Sequence, residues 1–309
     1  MNLKKRLSNR CLEMPISNKF KLLKGLVPGF LGQPVRDRWS RHAWARRDLP
    51  IDLQAKAIQL NLGARPAGFF SNFFQVVGAI DICEHFEWDL NIRFDKGAYF
   101  DPMVGEDWWS SYFARNTFQY CKSGSATPFP VPHSYNGALS EHGKRLASKI
   151  AHQIVKRIPI HQHILEQVDS VSSDWEPGVV GVHYRGTDKV RTESVRVPYE
   201  FVADQLDLRF RSDTRFFVAT DEAAFHEFIQ GRFPGRIYHS DAVCGSGEIP
   251  PHKDPDNVAK RHQIGREALV ECLLLAKCKV LVRTDSNLSQ ASLFFNPKAK
   301  CFNLSDHFR

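Results

Sequence analysis

A parallel, doubly wound α/β fold is predicted for this 309-residue chain by three observations. Short β-rich runs alternate with helical segments through the second half, and polar groups follow directly on the ends of those runs. The length suits two lobes of roughly 150 residues each, both large enough for a core of their own. A composition of 42% hydrophobic and 25% charged residues lies close to the globular average and excludes a disordered or fibrous chain.

The first fifty residues stand apart. They hold twelve Lys and Arg against Glu13, Asp37 and Asp48, which more than accounts for the formal net charge of +8 and leaves the remainder nearly neutral. Phe20, Leu22, Leu23, Leu26 and Phe30 interleave with those cations, so this arm is the candidate for peripheral contact with an anionic membrane surface. A solvated or lobe-packing extension accounts for it equally well. No apolar run approaches the ~20 residues that span a bilayer, and the arm lacks the apolar core and cleavage site of a secretory signal, so a cytoplasmic location is expected. Nucleic-acid binding is not expected, because the body carries little excess basicity and no recognition motif. Seven scattered cysteines without a C-x-x-C pair read as free thiols and suggest no zinc site.

After the arm, residues 57–62 read as a strand that breaks at Gly63 and Pro66. Residues 69–86 follow with apolar groups at helical spacing, and residues 90–94 alternate like a strand, giving a β-α-β opening. The corner Gly68 to Asn72 is either a helix N-terminus that meets an anion or sugar hydroxyl, or a turn packed under aromatic residues. Trp108, Trp109, Tyr112 and Phe113 are either an acceptor platform or core. Pro128, Pro130 and Pro132 predict an irregular loop over residues 119–136, with a helix over 141–157 leading to the second half. There the strand candidates are residues 179–184, 215–219, 236–239 and 280–283, separated by helices near 199–211, 223–233 and 257–278. Gly265 inside the last of these marks either simple packing or a close approach to nucleotide or another backbone.

The first run of this half ends in His183-Tyr184-Arg185-Gly186-Thr187-Asp188-Lys189, which places an arginine where a doubly wound sheet presents its ligand crevice. A planar guanidinium suits a diphosphate, and a fixed cation beside a departing diphosphate stabilises charge that grows in the transition state; the alternative is an arginine merely salt-bridged at the strand end. The next corner carries Asp221, and the last carries Asp285, Ser286 and Asn287. Asp221, Asp285 and Ser286 are also credible helix caps. Asp254-Pro255-Asp256 has the D-x-D spacing of metal-dependent transferases, but it lacks a further cluster of hard ligands, so no metal is expected. The Gly/Pro-rich stretch before it, which includes His252, reads as a loop that closes over a ligand.

These motifs, taken in order with Ala219-Thr220-Asp221-Glu222, residues 268–275 and Ser286-Asn287-Leu288-Ser289, resemble the fucosyltransferase superfamily that includes α-1,6-fucosyltransferases and the nodulation fucosyltransferase. Gly68 to Phe74 and Gly105 to Trp109 resemble bacterial members of the same group. The resemblance implies a GT-B fold, with two Rossmann-like lobes facing a central cleft. The basic arm 1–50 lies outside the resemblance, and the rest of the chain divides into an acceptor-side lobe 51–160 and a nucleotide-sugar-binding lobe 161–309. The resemblance also implies an inverting, metal-independent transfer of fucose from GDP-fucose to a glycan hydroxyl, with the donor as substrate and no further cofactor. By matching position, Arg185 contacts the diphosphate, His183 and Glu271 the guanine region, Asp221 the nucleotide side of the cleft, and Ser286 and Asn287 phosphate or ribose. Lys189 and Glu193 fall near the acceptor. Glu193 is the first candidate for general base and Asp188 the second, since the chemistry needs a carboxylate to take the acceptor's proton. In two places the chain departs from the pattern. Gly186 stands where some relatives carry a second arginine, and Glu271 stands where aspartate is usual. The alternatives are a transferase with another nucleotide-sugar donor, and a noncatalytic, membrane-associated nucleotide-sugar-binding protein.

Overall fold

The computed structural model describes residues 58–121, 126–131, 133–186, 196–245 and 250–309, and these fall within one compact unit. Strand β1 (Ile58–Gly63) buries Ile58, Leu60 and Leu62 on alternate positions, as a period of two requires. Helix α1 (Phe69–Phe86) is buried at 14 of its 18 positions, which makes it a central core helix and not a surface one. Strand β2 (Asp89–Arg93) returns parallel to β1, completing the predicted β-α-β opening.

The proline-rich stretch that reads as a loop contains a strand. Strand β4 (Thr127–Pro130) pairs in parallel with β1, while β3 (Thr117–Phe118) pairs antiparallel with β2, giving the order β3-β2-β1-β4. An edge position tolerates Pro128 and Pro130 because their missing N–H groups leave no inner ladder unfilled. The helix expected over 141–157 is two helices, α2 (His133–Arg145) and α3 (Ser148–Val155), separated by a turn at the buried Leu146. Both touch α1, along which α2 packs, whereas α3 packs also on the last α-helix of the chain. A further helix, α4 (Gln162–Val171), precedes the second sheet.

That sheet is wholly parallel. Its strands are β5 (Val180–Tyr184), β6 (Phe216–Thr220), β7 (Ile237–His239), β8 (Val280–Arg283) and β9 (Lys300–Asn303), in the order β7-β6-β5-β8-β9. Helices α5 (Tyr199–Arg209), α6 (Ala223–Arg232), α7 (Arg261–Lys277) and α8 (Asn287–Phe295) connect them. Each β-rich run expected in this half is a strand to within a residue, and β5 and β6 are buried at every position, as central parallel strands are.

Topology places the crevice. From β5 the chain winds outward to β6 and β7, then crosses back to β8 on the other side of β5. The gap beyond the carboxyl ends of β5 and β8 is therefore the topological switch point, where open α/β sheets take ligands. The first sheet repeats the device: β2 lies on one side of β1 and β4 on the other, so its switch point lies beyond β1 and β4.

The four aromatics with two readings are core: Trp108, Trp109, Tyr112 and Phe113 are all at most 2% exposed, and the Trp109 and Phe113 rings lie 4.1 Å apart. Tyr112 also explains Gly265. A side chain at that helix position would run into the Tyr112 ring, whose hydroxyl donates to the His262 carbonyl at 2.8 Å. The close approach is thus packing, made by a tyrosine side chain.

Candidate functional site

A cleft of about 430 Å³, a volume ordinary for small-molecule sites, opens over the carboxyl end of β5 and takes its far wall from the loop after β1, the start of α1 and the end of α2. Because β5 is buried throughout, Arg185 is where the chain first leaves the core, and its side chain lines this cleft. Its amide donates to Thr284 Oγ1 at 2.8 Å, and the Thr284 amide donates back to the His183 carbonyl at 3.0 Å. The guanidinium Nη1 lies 2.6 Å from Asp221 Oδ2, and the Gly186 amide donates to Asp221 Oδ1 at 3.1 Å. The corners after β5, β6 and β8 are in this way tied into one network.

Asp221 binds across to the β5 corner and does not cap α6, whose N-cap is Glu222. Ser286 does cap: its Oγ accepts from the Leu288 amide at 3.2 Å, and with Asn287 it starts α8 at the cleft. The capped hydroxyl keeps its own proton, which is free to be donated to a phosphate or ribose oxygen. Gly186 has a steric cause as well, since any Cβ there would collide with the buried Glu222 carboxylate.

Glu271 lines the cleft from within α7 and accepts from the Ser240 hydroxyl at 2.8 Å. Burial pushes its carboxyl up to about 8, with Asp221 and Glu267 adding like charge while the Ser240 hydrogen bond pulls the other way. It is therefore largely a neutral acid near pH 7, able to donate as well as accept. Glu267, one helical turn earlier, is committed to the Val243 amide at 2.9 Å and the Gln263 side chain at 2.6 Å.

The structure thus brings together Arg185, Asp221, Glu271, Ser286 and Asn287 of the residues singled out from sequence. His183 is buried in β5 at 5% exposure and does not line the cleft. Asp188, Lys189 and Glu193 lie outside the described residues. His252 lines the cleft and stacks on Tyr99, ring centroids 5.7 Å apart, while the Tyr99 hydroxyl accepts from the Phe69 amide at 2.9 Å. Asp254 caps the turn that follows it by accepting from the Asp256 amide, and no group of three His, Cys, Asp or Glu among the described residues could hold a metal ion.

The far wall supplies residues that sequence reasoning passed over, namely Arg65, Glu141 and Lys144, beside Ser71 of the Gly68 to Asn72 corner. Lys144 donates to Glu141 at 2.9 Å, and this hydrogen bond, with smaller help from Arg145 and Arg65, holds the Glu141 carboxyl below its usual range. The Gly68 to Asn72 corner does open a helix at this wall, with Gly68, Phe69, Phe70 and Ser71 lining it.

No protein-family model matches the sequence, and a search of curated proteins finds no match. Solved structures do resemble it. The fucosyltransferase NodZ from Bradyrhizobium superposes with a TM-score of 0.53 at 12% identity, covering 81% of this chain and 97% of that one. A crystal of NodZ α-1,6-fucosyltransferase soaked with GDP-fucose gives 0.51 at 13% identity, covering 78% and 93%. The chain has this fold, the GT-B arrangement expected from its motifs.

Proposed function

We propose that this chain is an inverting glycosyltransferase that moves fucose from GDP-fucose to a glycan hydroxyl. One observation carries the proposal: Arg185 is fixed at the β5/β8 switch point, beside the N-terminus of α8 and open to the cleft. A guanidinium beside a helix start is suited to a diphosphate, because forked N–H donors and the positive end of the helix dipole act on the same anion. The fold shared with NodZ, whose crystal was soaked with GDP-fucose, supports the same assignment.

In this reaction the acceptor oxygen attacks the anomeric carbon from the face opposite the diphosphate, and the glycosidic electron pair passes to the diphosphate oxygen. Arg185 stabilises that growing charge, Asp221 holds its fork in place, and Ser286 and Asn287 hold phosphate or ribose. Glu271 reads the nucleobase from the buried end. Glu193 takes the acceptor proton, with Asp188 as the alternative and Lys189 beside the acceptor. Glu141, the carboxylate of the far wall, is a poor base, since Lys144 holds its proton affinity down.

A second reading changes the donor alone. Glu271 offers both a donor and an acceptor to a base edge, and Gly186 leaves the β5 corner with one arginine, so another nucleotide sugar fits the same cleft chemistry. A panel of GDP-fucose, GDP-mannose and UDP-sugars, assayed for hydrolysis and for transfer with and without EDTA, separates the two. The proposal expects GDP-fucose turnover that EDTA does not abolish. Brisk use of UDP-sugars with no GDP-fucose turnover overturns the donor assignment.

A further inference from the structure

The charge around the cleft does not balance for the ligand proposed. A sugar nucleotide brings a diphosphate with two negative charges, and cleavage leaves a more highly charged nucleoside diphosphate. Yet Arg185 already faces Asp221 at 2.6 Å, and Glu267 lines the same cleft. A paired cation carries little net charge to a third partner, so further positive charge has to come from another wall.

Arg65 meets that requirement. It lies two residues beyond β1, at the switch point of the first sheet, as Arg185 lies one residue beyond β5 at the switch point of the second. Both line the one cleft. Among the described residues Arg65 makes no ion pair, and its side chain is held only by a long hydrogen bond of 3.4 Å to Ser71 Oγ. With Lys144 it sets two cations against the single carboxylate of Glu141 on that wall.

Its backbone, by contrast, is firmly placed. Asn72, 1% exposed, accepts the Arg65 amide at 2.8 Å and donates its own amide to the carbonyls of Arg65 and Ala67 at 3.2 and 3.1 Å. Gln75 donates to the Gly63 carbonyl at 2.9 Å, and Asn136 to the same atom at 3.3 Å. Three buried amide side chains therefore pin the turn, and the guanidinium at its end is left with little to bind. The start of α1, on the same wall, adds its partial positive charge.

We infer that Arg65 is a second diphosphate-binding cation, closing on the donor's phosphates from the wall opposite Arg185, with Asn72 as the residue that positions it. This rests on the nucleotide-sugar reading of the cleft. The two arginines then grip one diphosphate across the switch points of both sheets, and a second arginine at position 186 is not needed.

The test is equilibrium binding of GDP, GMP and guanosine to the full chain, with UDP and ADP as further nucleoside diphosphates, and with melting temperature as the control for folding. Losing a charge-assisted phosphate contact in Arg65→Ala should weaken the nucleoside diphosphate by roughly ten- to a hundredfold, change guanosine binding little, and shrink the GDP-over-GMP preference. Arg65→Lys keeps the charge and should recover part of the loss. Equal GDP affinity in wild type and Arg65→Ala overturns the assignment of Arg65 alone. A uniform loss across GDP, GMP and guanosine overturns it too, since it marks a role in shaping the wall. Failure of the wild-type protein to bind any nucleoside diphosphate removes the donor reading itself, and this inference with it.

Discussion

Arg185 and Asp221 gain their meaning from being held together: one corner presents the fork and the next fixes its orientation, with the Gly186 amide completing the clasp. Arg185→Ala should lose about 2 to 4 kcal/mol of transition-state stabilisation, read as a fall in kcat/KM for donor turnover. A folded variant with a near-wild-type rate removes Arg185 from the mechanism. Glu271 makes a separate prediction. In the unfolded chain its carboxyl releases a proton near the ordinary 4.5, whereas the folded protein retains it up to about 8. The folded state therefore binds more protons across that interval, so stability declines as pH rises through it and levels off above. Glu271→Gln should abolish this share of the decline, and melting temperatures of the two proteins from pH 5 to 9 should diverge in the variant's favour at the alkaline end. Parallel curves would show that Glu271 ionises normally. At this scale the sequence was informative wherever a polar residue ended an apolar run, as with Arg185, Asp221 and Ser286. It was silent on Arg65, because only the crossing of β4 to the far side of β1 makes the residue after β1 a cleft residue.

Helices and strands were legible in proportion to how far their own residues dictate them. Strands β5, β6 and β8 are apolar runs buried in a parallel sheet, and α1 is apolar nearly all round, so local pattern and tertiary place agree. Strand β9 is Lys300-Cys301-Phe302-Asn303, half polar, and owes its strand character to β8 alongside it. Strand β4 carries two prolines and exists because an edge permits them. No single segment shows such pairing. Helix α7 offers the sharpest test of packing: Gly265→Ala adds a methyl where Tyr112 already stands, and overpacking of this kind costs about 1 to 3 kcal/mol. The melting temperature should fall, and Tyr112→Phe in the same background should recover part of it by removing the oxygen nearest the new methyl. An unchanged melting temperature for Gly265→Ala would mean that the helix and the tyrosine ring separate at no cost.

Across the whole molecule, two open sheets each turn a switch point toward one cleft, and each sends an arginine there directly after its first strand. The alternation of strands and helices made a doubly wound fold legible, and the order of the motifs pointed to GT-B. The division of labour between the walls was not legible, because ion pairs such as Arg185 with Asp221 and Lys144 with Glu141 decide which cations remain available, and those pairs join residues from different elements or different turns. Among the described residues no helix is long and apolar enough to cross a membrane. The central claim is that a sugar nucleotide's diphosphate lies at the carboxyl ends of β5 and β8. A crystal structure of the protein grown with GDP tests it most directly. The phosphates should lie within hydrogen-bond reach of Arg185 and the start of α8, with the base toward Glu271. Nucleotide bound elsewhere, with the Arg185 and Asp221 corner untouched, would contradict the account.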